Sequence, residues 1–167
     1  MKKLSIRMIT LVSCAALLFG LGACAKKEPN PFKERSTFTA AKSSDRDLQM
    51  TVNVVSGKTI HFEITSKDYD TYMYGRPYTL EYKSGNDWYT VPFLPDTMFT
   101  MEGILLENYD GPAENGRVIA SDDIDLSEMC GKDLPSGHYR LIKKVSLMDR
   151  NSDDCVADYD VVAEFDL

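Results

Sequence analysis

Few residues in this chain could carry out a reaction, and their arrangement decides how far that idea goes. Only two histidines are present, His61 and His138, and both fall in segments that read as β-strands. A Ser-His-Asp or Cys-His arrangement needs a nucleophile presented on a sharp turn, and no such elbow is found around either histidine. Strand alternation around His61, with Ile60, Phe62 and Ile64, puts it on the polar side as a surface or cross-strand residue. No residue is assigned a catalytic role. Asp149, Asn151 and Asp153 stand at alternate positions with Asp160 further on, a spacing reminiscent of a calcium loop. The sixth position is Asp154 where the turn demands glycine, and the twelfth is Asp, too short for bidentate reach, so the run reads as a solvated turn. Asp122, Asp123 and Asp125 form a second acidic cluster with the same reading. Neither a metal nor a cofactor is expected.

The four cysteines divide by position. Residues 1–23 have a basic start (Lys2, Lys3, Arg7) and an uncharged apolar stretch over 8–22, shorter than a membrane span, the pattern of an export signal. It ends in Leu21-Gly22-Ala23-Cys24, which resembles the lipobox of bacterial lipoproteins. That resemblance implies a diacylglyceryl thioether on Cys24, cleavage before it, and membrane attachment through acyl chains worth roughly 0.8 kcal/mol per buried CH₂. Leu11-Val12-Ser13-Cys14 fits the same pattern but leaves only a stub of apolar residues ahead of it. An uncleaved anchor is a further alternative and places the protein on the same side of the membrane. Ala25 follows the lipobox cysteine, so in a cell with an outer membrane the usual retention signal, Asp, is missing.

Cys130 and Cys155 remain for the exported part, and outside the cytoplasm two such thiols are candidates for a disulfide. They flank one expected strand, and closing the loop between them would contribute about 3.5 kcal/mol in the chain-entropy model. Two separate thiols are the alternative. The last candidates are aromatic. Tyr69, Tyr72 and Tyr74 lie in a loop-like stretch before Arg76-Pro77, where they form either a recognition surface or a cover for one end of the fold.

These residues must be positioned by the segments around them. Residues 24–47 shift to Lys, Pro, Ser and Thr with isolated Phe32 and Phe38, the composition of a flexible tether. From 48 onward, 48–55 and 59–65 alternate apolar and polar about a Ser-Gly-Lys turn. A second hairpin joins 77–82 and 88–93 across Ser84-Gly85-Asn86-Asp87. Further strands are expected over 101–107, 117–121, 138–145 and 158–167. About seven or eight short strands without a long amphipathic helix predict an all-β, immunoglobulin-like antiparallel β-sandwich over 48–167. In the run from Leu134 to Leu141, Tyr139 follows a tight turn at the start of a strand, the placement of a tyrosine corner.

Tyr74-Gly75, Tyr78 to Glu81, Trp88 to Pro92, Leu134 to Lys143 and the closing Ala163-Glu164-Phe165 resemble, in order, a bacterial immunoglobulin-like domain family often found in lipoproteins of Firmicutes-type bacteria. The resemblance implies a sandwich fold, an extracytoplasmic address and no defining catalytic residues. The segment 101–132 departs from it and looks like an insertion.

Charge narrows the partners. The chain carries 19 basic and 26 acidic residues, a net charge of −7; all the acidic ones lie after Cys24, so removal of residues 1–23 leaves 16 basic against 26 acidic, or −10. That balance excludes nucleic acid as an expected partner. The expectation is a lipid-anchored binding module in the bacterial envelope, on the outer face of the cell membrane or on an outer membrane. It attaches to the membrane through Cys24 and binds an unidentified envelope protein or glycan. The competing class is a small envelope hydrolase, or an inhibitor or accessory of an envelope enzyme.

Overall fold

The computed structural model describes residues 30–39, 48–68, 70–100, 102–106, 116–152 and 154–167. Among the described residues nine strands and one short helix follow in order: β1 (Gln49–Ser56), β2 (Thr59–Ser66), β3 (Thr71–Gly75), β4 (Thr79–Ser84), β5 (Asp87–Thr90), β6 (Gly103–Leu106), β7 (Arg117–Asp125), α1 (Leu126–Cys130), β8 (His138–Met148) and β9 (Cys155–Asp166). They form two antiparallel sheets in a sandwich, as the strand spacing predicts. One sheet has the order β1-β2-β7; the other is built around β8.

The long strand β8 organises the second sheet. One edge is shared, with β4 pairing against 139–142 and β3 against 145–148, while the other edge pairs with β9 from His138↔Asp166 to Met148↔Cys155. Strands β5 and β6 extend the sheet outward from β4 and β3. Alternation dictates which side chains meet the first sheet. Tyr139, Leu141, Val145 and Leu147 point inward from β8 and Ile60, Phe62 and Ile64 from β2, and all are buried. The turn into β2 depends on Gly57, whose φ of 55° lies in the left-handed region. Gly137 is required for space: a Cβ there would stand 2.6 Å from the Tyr82 ring.

The described residues of the segment 101–132 belong to the sandwich. They supply β6, and β7 pairs with β2 over most of its length to complete the smaller sheet. The alternation of β7 is masked in the sequence because Asp122 and Asp123 stand side by side in its middle.

Residues 30–39, placed in a flexible tether by composition, lie against the fold. Arg35 bridges Tyr89 of β5, Ser36 N–H donates to the Trp88 carbonyl at 2.9 Å, and Thr90 N–H donates to the Glu34 carbonyl at 2.8 Å. Phe32 packs edge-on against Tyr82. The segment thus covers the free edge of β5, a row of backbone groups that would otherwise seek another partner.

Candidate functional site

The charged and aromatic residues that the fold brings together meet in a cleft of about 270 Å³ between the two sheets. Phe62 reaches it from β2, Tyr74 from β3, Tyr78 from the residue just before β4, and Lys143 from β8; Asp122, Asp123, Ile124 and Asp125 come from β7. Arg76, just after β3, Glu128 and Met129 of α1 and the loop residues Met98, Phe99 and Thr100 complete the lining.

Lys143 is the unusual member. It occupies an inward register position of β8 between Leu141 and Val145 and is only 2% exposed. Its ammonium donates to the carbonyls of Gly75, Arg76 and Pro77 at 3.2, 3.3 and 3.4 Å, which uses all three N–H groups. It also lies over the rings of Phe62 and Tyr74 at 4.9 and 5.2 Å. Burial disfavours the charged form and lowers its pKa to about 8.

Tyr78 is held by aromatic contacts, edge-on to Phe93 and Phe99 with centroids 5.2 and 5.5 Å away. It is 7% exposed, and its hydroxyl has no hydrogen-bond partner among the described residues. Burial raises its pKa well above the usual phenol range. A buried hydroxyl without a partner carries a desolvation penalty of about 1–3 kcal/mol.

Most carboxylates around the cleft are already engaged. Asp122 and Glu102 pair with Arg76, each at 3.2 Å. Asp123 binds His61 Nδ1 at 2.7 Å. Asp125 caps α1, accepting from Ser127 N–H at 2.9 Å and from Ser127 Oγ at 2.6 Å, and these bonds lower its pKa.

The histidines sit on open strand faces. His61 lies between Asn53 and Asp123 in the register of the smaller sheet, and the Asp123 hydrogen bond raises its pKa. His138 contacts Glu164 and Asp166 of β9, each at 2.7 Å, which raises its pKa likewise. Neither lines the cleft. In the acidic turn after β8, Asn151 N–H donates to the Asp149 carboxylate and Asp149 N–H to the Asp154 carbonyl; Asp160 lies well along β9 opposite Lys144, and Asp153 lies outside the described residues. No cluster able to hold a metal is found among the described residues.

Two expectations are corrected. Cys130 and Cys155 are free thiols. Cys130 ends α1 close to Tyr78 and Tyr139, where burial raises its pKa to about 11, whereas Cys155 pairs with Met148 at the far end of β8. Flanking one strand therefore separates them: from Tyr139 to Met148 the strand runs about 30 Å. Likewise Tyr72 and Tyr74 form no exposed recognition surface. They belong to β3 and are buried at 0% and 7% exposure, with the Tyr72 hydroxyl satisfied by Asp68 at 2.6 Å. Arg76-Pro77, which suggested a loop, ends this strand. Tyr69 and Cys24 lie outside the described residues.

Tyr139 has the geometry of a tyrosine corner, its hydroxyl donating to the Pro135 carbonyl at 2.6 Å. Lys143, Tyr78 and Glu128 line the cleft although none of them stood out as a site residue in the sequence. Only Lys143 left a signal, a charged residue in the inward register of an otherwise apolar strand face. The sequence model of a family described as a bacterial Ig-like domain matches residues 42–166. No curated protein matches the chain.

Proposed function

The chain belongs to the bacterial Ig-like domain family, and from that premise we propose that it works as a lipid-anchored, extracytoplasmic interaction module without catalysis. The observation that carries this reading is the pairing of one sandwich domain over nearly all of the chain after residue 42 with a leader that ends in Leu21-Gly22-Ala23-Cys24. Acyl chains on Cys24 hold the protein on the envelope membrane, and the sandwich presents its surface to an envelope protein or glycan. The acidic balance supports a partner other than nucleic acid. The histidines support a binding role, since each is held by carboxylates on an open strand face and neither is among the residues that line the cleft.

In vivo cross-linking of the tagged full chain, followed by capture from detergent-solubilised envelopes, tests this reading. An envelope component should be recovered reproducibly in cross-linked form. Recovery of the chain alone would count against an interaction module. Hydrolysis of an envelope polymer by the purified chain, lost in His61→Ala or His138→Ala, would overturn the non-catalytic reading.

A further inference from the structure

Resting on the interaction-module reading, we propose that the cleft between the sheets is a receptor pocket for one lysine or arginine side chain of a protein partner. The charges around it favour a cation. Asp122, Asp123, Asp125 and Glu128 line it against Arg76 and Lys143. The two resident cations have little left to offer an anion: Arg76 is bound to Glu102 and Asp122, and Lys143 spends its three N–H groups on three backbone carbonyls. Three of the carboxylates are held by Arg76, His61 and Ser127, while Glu128 has no ion pair among the described residues.

Independently of the acidic rim, Tyr78 lines the same cleft at 7% exposure, and its buried hydroxyl has no partner among the described residues. A phenol oxygen accepts a hydrogen bond from an ammonium or guanidinium N–H. Apolar walls suit the rest of such a side chain. Met98, 89% exposed, stands with Phe99, Ile124 and Met129 along the lining, and an alkyl stem packs on such surface while its charged head meets a carboxylate. At about 270 Å³ the cleft is below the roughly 300–1,000 Å³ of pockets for drug-sized ligands and suits a single side chain.

The test uses the full chain in detergent micelles with ¹³C-methyl-labelled methionine, the Met98 and Met129 signals being assigned through Met→Leu variants. Three probes are titrated: the N-acetyl methylamides of lysine, norleucine and glutamate. The lysine probe should shift the Met98 and Met129 methyl signals saturably, with the norleucine probe about tenfold weaker. Glu128→Gln and Tyr78→Phe should each weaken the lysine probe about threefold or more, in line with the loss of a charge-assisted contact. Equal response to norleucine, a stronger response to glutamate, or no shift with lysine would overturn the assignment. Melting of Tyr78→Phe gives a second readout. An unpartnered hydroxyl stabilises nothing, so the melting temperature should hold or rise, and a fall of several degrees would overturn the claim that this oxygen awaits a ligand. Envelope capture separates the two levels of the account. A partner recovered equally by wild type and Glu128→Gln, with silent methyl signals, would sink the cleft and leave the interaction module standing. Lysine-probe binding with no captured partner would support the cleft and count against the module.

Discussion

Lys143 brings a charge into the space between the sheets, and the fold compensates with three carbonyls and two aromatic faces. The compensation is incomplete, because burial still lowers the pKa from 10.5 to about 8, against the opposing effect of Asp122 and aided by Arg76. The folded state therefore releases this proton at lower pH than the unfolded chain does. Stability then rises with pH across the interval between the two values. Cys130, raised to about 11, acts in the opposite direction once the unfolded thiol titrates near 9.0. The two raised histidine values favour folding below the ordinary 6.5 and lose that contribution as pH climbs through them. The clearest window is thus about pH 7.5 to about pH 9, where urea unfolding should show a net gain on the order of 1 kcal/mol. The gain should vanish in Lys143→Met, and a wild-type curve that is flat or falling there would contradict the assignment. Legibility in the sequence differs sharply at this scale. Tyr139 announced its corner through the turn before it, and Lys143 was visible as an inward-register charge. Tyr78 and Glu128 came to share the cleft lining only through the meeting of segments about fifty residues apart, which no local spacing encodes.

At the scale of elements, hairpins were legible because alternation and turn residues agreed, as in β1-β2 and β4-β5. Strand β3 was not. Tyr72, Met73 and Tyr74 are all large and apolar, so the period of two disappears from composition even though burial alternates along the strand. The docked segment 30–39 was hidden for the opposite reason, since its polar residues serve a network and not a core. Ser36 Oγ donates to Glu81 Oε1 at 2.5 Å, and Arg140 Nε donates to Glu81 Oε2 at 2.5 Å while its guanidinium lies over Trp88 and Phe38. Glu81 is 2% exposed. Removing it strands a buried guanidinium, so Glu81→Ala should cost about 3–5 kcal/mol in urea unfolding. The same variant should open the segment to trypsin at Lys33 and Arg35. A loss below about 1 kcal/mol with unchanged trypsin resistance would mean that the segment is held by its backbone bonds and Phe32 alone.

For the whole molecule, the docked segment changes what a lipid anchor would do. Composition alone predicts a tether from residue 24 to 47, able to reach roughly 80 Å when extended. With residues 30–39 on the edge of β5, the six steps from Cys24 to Asn30 can span at most about 20 Å, so an anchor on Cys24 would hold the sandwich near the lipid surface. The exported part would carry −10, so anionic lipid repels it and the acyl chains must supply the attachment. Fold class was legible at this scale from strand count and spacing, while the role of 101–132 was not, because β7 finds its partner in a strand more than fifty residues earlier. Cys24 is the residue on which an anchored module depends, and metabolic labelling of cells with a fatty-acid probe addresses it most directly. Wild-type chain should take up the label and Cys24→Ala should lose it; label retained in Cys24→Ala would contradict the anchored module.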